Sequence, residues 1–469
     1  MRASSAPGPQ EKRFAAYMDG LAKAAGHADR EKPLQFYCAG LLLPGERKSV
    51  EPMAARLAPD DVRRRHQSLH HVVADSPWSD EALLEQVRVS VLSRMTRKGP
   101  LTAWIVDDTG LVKKGKHSVG VARQYCGAVG KQENCQVAVS LSVATDEASL
   151  PIAWRLYLPQ SWTEDRARRE QAKVPNAIGF QTKPALALEQ IRRALEQEVP
   201  AAPLLADAAY GNDTQFREGI TTLGLLYAVG VHETTTVWRP GEAPQPPPRR
   251  GGRGRPPTRL RRDGEQQPVA VKELALALPR RAWQSVAWRE GTRGELRSRF
   301  AAVRVRPAHR DERRSEPRPQ EWLLIEWPQE EAEPTKYWLS TLPAETRLTA
   351  LVKLAKQRWI IERDYEELKQ ELGLGHYEGR GWRGFHHHAT LCIAAYGFLV
   401  IERSLFPPRR GRADWSYAPP SFLPSTDPAV RRARAERHNP RSIATLRIRI
   451  ARLLLERLPC CPFCCVLRL

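Results

Sequence analysis

At 469 residues and 53.0 kDa the chain exceeds what one simple core organises, so two or three domains are expected. The 41% hydrophobic content is ample for burial, and 74 Lys+Arg against 53 Asp+Glu give a formal charge of +21, a field that attracts polyanions, nucleic acid above all. MRASSAPGPQEKR has no apolar h-region and the longest apolar run, Ala389 to Ile401, falls short of the roughly 18 to 20 residues that span a bilayer, so no membrane partner and a cytoplasmic protein are expected.

From Lys12 to about Arg97 apolar residues recur at helical spacing, as in FAAYMDGLAKAAG and DEALLEQVRVSVL, with turn signals such as ADSPWSD between them. This predicts an N-terminal helical domain over residues 1–97. At Thr102 the character changes. TAWIVDDTG is a β-forming apolar run that stops at two Asp, and SVGVARQYCGAV, NCQVAVSLSVAT and LPIAWRLYL read as further strands. A helix (PALALEQIRRALEQE), a short buried strand (APLLADAAYG), a helix (DTQFREGITTLG) and a strand (LLYAVGV) follow, an α/β layout with helical crossovers over residues 98–231.

Residues 232–345 read as a β-rich insertion. Its first part, Arg239 to Gln267, is a Pro/Arg/Gly-rich stretch that cannot build a core and is expected to be a mobile basic loop, and its second part alternates as antiparallel strands. The core resumes over residues 346–405. Within it, QRWIIERDYEELKQELG is an amphipathic helix with Arg358, Glu362, Glu366 and Lys369 on one stripe and Ile361, Tyr365, Leu368 and Leu372 on another. An apolar helix around His388 to Leu405 comes next. Residues 406–469 form a basic tail with an amphipathic helix, SIATLRIRIARLLLERL. Its terminal CCPFCC, Cys460 to Cys465, lacks the second CxxC or His pair that would complete a zinc site. His386, His387 and His388 sit at a predicted helix start and are assigned to capping and packing.

Acidic residues stand out by position. Asp107 and Asp108 end the first strand, Asp207 ends the short buried strand, and Glu362 lies on the helix after the insertion. Groups at the carboxyl ends of neighbouring strands of an α/β sheet converge on one crevice. Carboxylates are hard oxygen ligands, and three of them can hold two Mg2+ ions roughly 3.5 to 4 Å apart for phosphodiester chemistry.

These blocks resemble the bacterial insertion-sequence transposases of the DDE type, in the group whose third carboxylate sits in a Y-x2-R-x3-E-x6-K signature. Here the window is Ala355-x2-Arg358-x3-Glu362-x6-Lys369, with Ala355 in place of the Tyr. WIVDDTGLVKKGKHSVGVARQYCGAVGKQENCQVAVSLSVA is similar to the first catalytic block of DDE superfamily endonucleases, and LLADAAYGN to the second.

The resemblance implies an RNase H-like core, a mixed sheet flanked by helices, interrupted by the β-rich insertion and preceded by the helical domain. It implies Asp107, Asp207 and Glu362 as catalytic metal ligands, with Asp108 and Glu366 as the alternative carboxylates, and Mg2+ as cofactor, two ions per site, with Mn2+ as substitute. Arg358 and Lys369 inherit contacts to DNA phosphates, joined by Lys113, Lys114 and Lys116 from the basic loop after the first Asp. The expected partners are double-stranded DNA, both terminal inverted repeats and target, and a second copy of the chain in the DNA complex. An inactive copy acting as a DNA-binding repressor, and a metal-dependent nuclease that joins nothing, are the other readings.

Overall fold

A computed structural model describes residues 8–245, 259–261, 267–291, 294–406 and 439–458. Most of the basic Pro/Arg/Gly-rich stretch, the connection over residues 407–438 and the CCPFCC end lie outside the described residues.

Five helices open the chain: α1 (Pro9–Ala24), α2 (Glu31–Leu42), α3 (Val50–Leu57), α4 (Val62–His70) and α5 (Asp80–Met95). Local signals set their ends. Pro9 starts α1, where its missing N–H costs nothing, and Glu11 reaches back to the Gly8 N–H at 2.7 Å. In the expected turn, Ser79 caps α5 by accepting from the Ala82 N–H.

The core of the sheet is β1 (Ala103–Val112), β2 (Ala122–Cys126), β3 (Lys131–Ala144), β4 (Ser149–Tyr157), β5 (Leu204–Ala206) and β6 (Tyr227–Val231), with α6 (Lys183–Glu196) and α7 (Thr214–Thr222) in the crossovers. β1 lies between antiparallel β3 and parallel β5, and β5 is parallel to β6. Covered on both faces, β1 is a nearly continuous buried run. Asp107 and Asp108 therefore fall inside a strand, not at its end as the apolar pattern predicts. β3 pairs with β1 along the whole stretch from Ala103 to Val112, whereas β5 pairs only with Trp104 and Ile105. The two Asp residues lie just beyond the end of the parallel pairing.

The insertion adds β7 (Thr236–Trp238), β8 (Val269–Ala270), β9 (Gln284–Gly291), β10 (Gly294–Pro307), β11 (Glu321–Trp327) and β12 (Lys336–Ser340). β12 is antiparallel to β6, so these strands prolong the same sheet, which reaches 12 strands in the order β2-β3-β1-β5-β6-β12-β11-β10-β7-β8 with β4 on β3 and β9 on β10. The whole is a mixed α/β arrangement with helices against a large mixed sheet.

Helices α8 (Leu348–Gln357), α9 (Trp359–Gln370), α10 (Trp382–Ser404) and α11 (Ile443–Leu455) complete the described chain. α10 packs against α1, α2, α5, α11 and β4, partly through Tyr17, whose hydroxyl donates to the Ala394 carbonyl at 2.8 Å. One apolar cluster runs from Tyr17 through the sheet to Ala451, so no break in packing accompanies the boundary at residue 97. α10 is the one helix among the described residues long and apolar enough to cross a membrane, and that whole stretch is buried inside the protein. It begins at Trp382, ahead of the expected start around His388, so the three His residues fall in its second turn and are buried instead of capping it. His386 accepts the Leu156 N–H, His387 stacks on Trp78 at 3.5 Å, and His388 bonds Tyr37 at 2.9 Å. Burial pushes all three down to about 4.

Candidate active site

Asp107 projects from the middle of β1, opposite Ser140 of β3, and is almost fully buried. One oxygen accepts the Asp108 N–H at 2.8 Å and the other takes Nη1 of Arg358 at 2.6 Å. Burial pushes its carboxyl up to about 7, against the pull of Arg358, and the neighbouring Asp207 and Asp108 charges push the same way as burial. Asp108, the next residue along the strand, has a separate set of partners: Lys183 of α6 at 3.0 Å and the Tyr210 hydroxyl at 3.3 Å.

Asp207 follows β5 and caps a four-residue helix, Ala208–Gly211, by accepting the Ala209 N–H at 2.9 Å. That turn is pressed onto β6. A Cβ on Gly211 would stand 1.9 Å from the Gly230 carbonyl oxygen, and one on Gly230 would stand 3.0 Å from the Ala208 nitrogen. Two glycines thus allow the close approach that fixes Asp207 relative to the sheet. Tyr210 from the same turn is buried, and burial together with Asp108, Asp107 and Asp207 holds its phenol well above its usual range.

Glu362 lies on the first turn of α9, and its Oε1 accepts from Nη2 of Arg358 at 2.9 Å. The stripes of this segment are as the periodicity predicts: Ile361, Tyr365, Leu368 and Leu372 are buried and Glu362 and Glu366 are exposed. The segment is not one helix, however. It breaks at Arg358, which caps α8 on one side and α9 on the other. Tyr365 is tied to Ser140 at 2.8 Å beneath Asp107, which anchors α9 to the strands.

Arg358 thus makes ion pairs with Asp107 and Glu362 and lies in the field of Asp207. Burial opposes its charge, but Asp107, Asp207 and Glu362 together raise its pKa. Two carboxylates from separate elements, Asp107 and Glu362, contact the guanidinium, and Asp207 acts on it through its charge. Among the described residues no three His, Cys, Asp or Glu side chains converge closely enough to hold a metal ion in this conformation. Glu366 is a turn away, exposed and bonded to Gln370.

The other cations singled out by sequence divide into two groups. Lys369 donates to the Gly110 carbonyl at 3.0 Å and Lys113 to the Tyr377 carbonyl at 2.7 Å, both partly buried, whereas Lys114 and Lys116 are exposed. Ala355 packs into a small apolar cluster with Val286, Phe300, Leu324 and Trp338 of the insertion. A side chain at this position faces the insertion, not Asp107. Next to it, Lys356 bonds both oxygens of buried Glu326 at 2.6 Å and sits 4.2 Å from the Trp288 ring. Sequence reasoning missed Lys183, Tyr210 and Ser140, because their partners, Asp108 for the first two and Tyr365 for the third, lie far away in the chain.

Residues 19–295, more than half of the chain, match the family model of the DDE superfamily endonucleases. The matched span holds Asp107 and Asp207, and Glu362 lies beyond it. A probable transposase for insertion sequence element IS701 from Microchaete diplosiphon is 28% identical over 204 residues, which cover 43% of this chain and 49% of that relative. The chain spans about half the length of the curated relative it matches.

Proposed function

The chain belongs to the DDE superfamily endonucleases, and on that premise we propose that it is the transposase of an insertion sequence, which binds terminal inverted repeats, cleaves DNA and joins the 3′ ends to target DNA. The observation that carries this reading is the bridging of Asp107 and Glu362 by the guanidinium of Arg358, with the charge of Asp207 acting on the same group. Their oxygens suit a hard divalent cation, and the place between them already attracts positive charge. Two Mg2+ ions, with Mn2+ as substitute, would supply nucleophile activation and neutralisation of the leaving oxygen.

The chain's own residues do the rest. Asp107 and Asp207 are each oriented by a backbone N–H, so the carboxylates are held in place before substrate arrives. Exposed Lys114 and Lys116 take DNA phosphates, while base readout falls to the N-terminal helices and two copies of the chain hold the two ends. The setting is the bacterial cytoplasm.

The test is strand transfer of a labelled terminal-repeat duplex into plasmid DNA with Mg2+ or Mn2+. Wild type should give joined products, and Asp107→Ala, Asp207→Ala and Glu362→Ala should lose them at matched DNA binding. Cleavage without joining would favour a nuclease, and binding without cleavage a repressor.

A further inference from the structure

The hairpin of β2 and β3 stands at one margin of the sheet, where β2 is the terminal strand. It carries Tyr125, 61% exposed and the most exposed Tyr, Trp or Phe among the described residues, with exposed Arg123 just before it on the same strand. Neither side chain contributes to the core or to the chemistry around Asp107.

Strand register fixes which way these side chains point. Directly opposite residues of an antiparallel pair share a face, and the face alternates along each strand. On β3, Ser140 pairs with Asp107, while Asn134 and Gln132, at even spacing from Ser140, pair with Arg123 and Tyr125. Asp107, Arg123 and Tyr125 therefore lie on one face of the sheet. α9 covers its inner end through the bond between Tyr365 and Ser140, and Gln132, Arg123 and Tyr125 at the outer end are open to solvent. Asn134 ties the basic loop to the same face. Its amide donates to the Lys113 carbonyl at 2.6 Å and to the Gly115 carbonyl at 3.0 Å, which sets exposed Lys114 and Lys116 beside the hairpin. Glu133, the hairpin's acid, lies on the opposite face with Lys131, 3.8 Å away. The outward face thus offers positive charge and hydrogen-bond donors with no carboxylate of the hairpin among them.

We infer that this face is a second DNA contact: duplex DNA runs from Asp107 along β3, and Arg123 and the Tyr125 hydroxyl donate to its backbone phosphates. The inference rests on the transposase reading and extends it to DNA flanking the reacting bond. From Ser140 to Gln132 the strand advances about 26 Å, at about 3.3 Å per residue. A duplex strand advances about 3.4 Å per nucleotide, so Tyr125 meets DNA about 8 base pairs from the scissile phosphate. Arg123 and Tyr125 bind and position DNA at that distance, away from the reacting atoms.

The experiment uses the full chain and a duplex carrying one terminal repeat with flanking DNA on its outer side. Hydroxyl-radical footprinting locates the contacts, and fluorescence anisotropy across a salt series measures affinity. Wild type, Arg123→Ala, Tyr125→Phe and the opposite-face control Lys131→Ala are compared, with circular dichroism to establish folding. Wild type should protect the backbone about 8 base pairs from the repeat's terminus, and Arg123→Ala should lose that patch alone. Arg123→Ala should also lower the slope of log affinity against log salt by about 0.9. Tyr125→Phe should keep the slope and bind about tenfold more weakly, the effect of one lost hydrogen bond to a charged group. Lys131→Ala should match wild type. Unchanged protection and slope in folded Arg123→Ala, or wild-type protection that stops well short of that distance, would overturn the contact while binding and joining leave the transposase reading intact. Wild type that binds no terminal-repeat duplex would remove that reading, and the contact with it.

Discussion

Replacing Gly211 by Ala sets two physical effects against each other. Helix propensity alone predicts a gain of about 0.5–1 kcal/mol, because Gly211 ends a short helix with ordinary backbone angles. Packing predicts the opposite. The new Cβ would lie 1.9 Å from the Gly230 oxygen and 3.0 Å from the Val229 Cβ, where ordinary contact begins near 3.4 Å, so the helix or β6 must retreat by about 1.5 Å. The obstacle is backbone on a paired strand, which yields poorly, and such overpacking costs about 1–3 kcal/mol. The net expectation is a loss of about 1–2 kcal/mol, with Asp207 displaced because it caps that helix. A displacement near 1 Å lowers strand transfer by about a hundredfold. Urea denaturation of the full chain measures the first effect and the joining assay the second, with Gly127→Ala, which meets nothing within 4 Å, as control. A Gly211→Ala protein at least as stable as wild type, with undiminished joining, would refute the argument.

Three further outcomes are expected. Lys356→Met leaves Glu326 buried without its partner and should destabilise by about 3–5 kcal/mol, whereas Lys356→Met with Glu326→Leu should recover most of that; equal loss in the single and double variants in urea titrations would sink the idea. Burial raises the Asp364 carboxyl from 3.8 to about 7, against hydrogen bonds from Ser149 and Tyr396. The folded state then holds a proton that the unfolded state releases, so this contribution is full at low pH and is lost as pH rises through about 7. Asp364→Asn should flatten that fall in thermal midpoints measured across the window, and an unchanged slope would count against a protonated Asp364. Finally, Lys114→Ala with Lys116→Ala should lower the slope of log affinity against log salt by about two, since each lost phosphate contact removes about 0.9; an unchanged slope in fluorescence anisotropy titrations would remove both from the DNA surface.

Periodicity alone identifies what depends on local contrast between apolar and polar residues. The buried stripe Ile361, Tyr365, Leu368 and Leu372 is legible because a 3.6-residue repeat must face a core to be stable. The apolar run through Val106 is legible because a strand covered on both faces has no polar side. The three His residues are expected to cap and pack at a helix start; they pack, but in the second turn of a helix that begins at Trp382, so the start was not legible. The extent of β1 was not legible, because Asp107 and Asp108 look like a stop signal until β3 is seen pairing past them.

The tertiary structure alone decided the rest. Arg358 joins Asp107 and Glu362 across 251 and 4 residues of chain, and only the folding of β1 against α9 makes the first of these a contact. Ala355 departs from the signature, yet its side chain is spent on packing against Val286, Phe300, Leu324 and Trp338, from strands earlier in the chain. Gly211 carries no visible reason in LLADAAYGN until β6 approaches it. Local sequence determines helix, strand and stripe through interactions between near neighbours. The partner of each charged group is chosen by non-local pairing, whose energy depends on distances that no stretch of sequence contains.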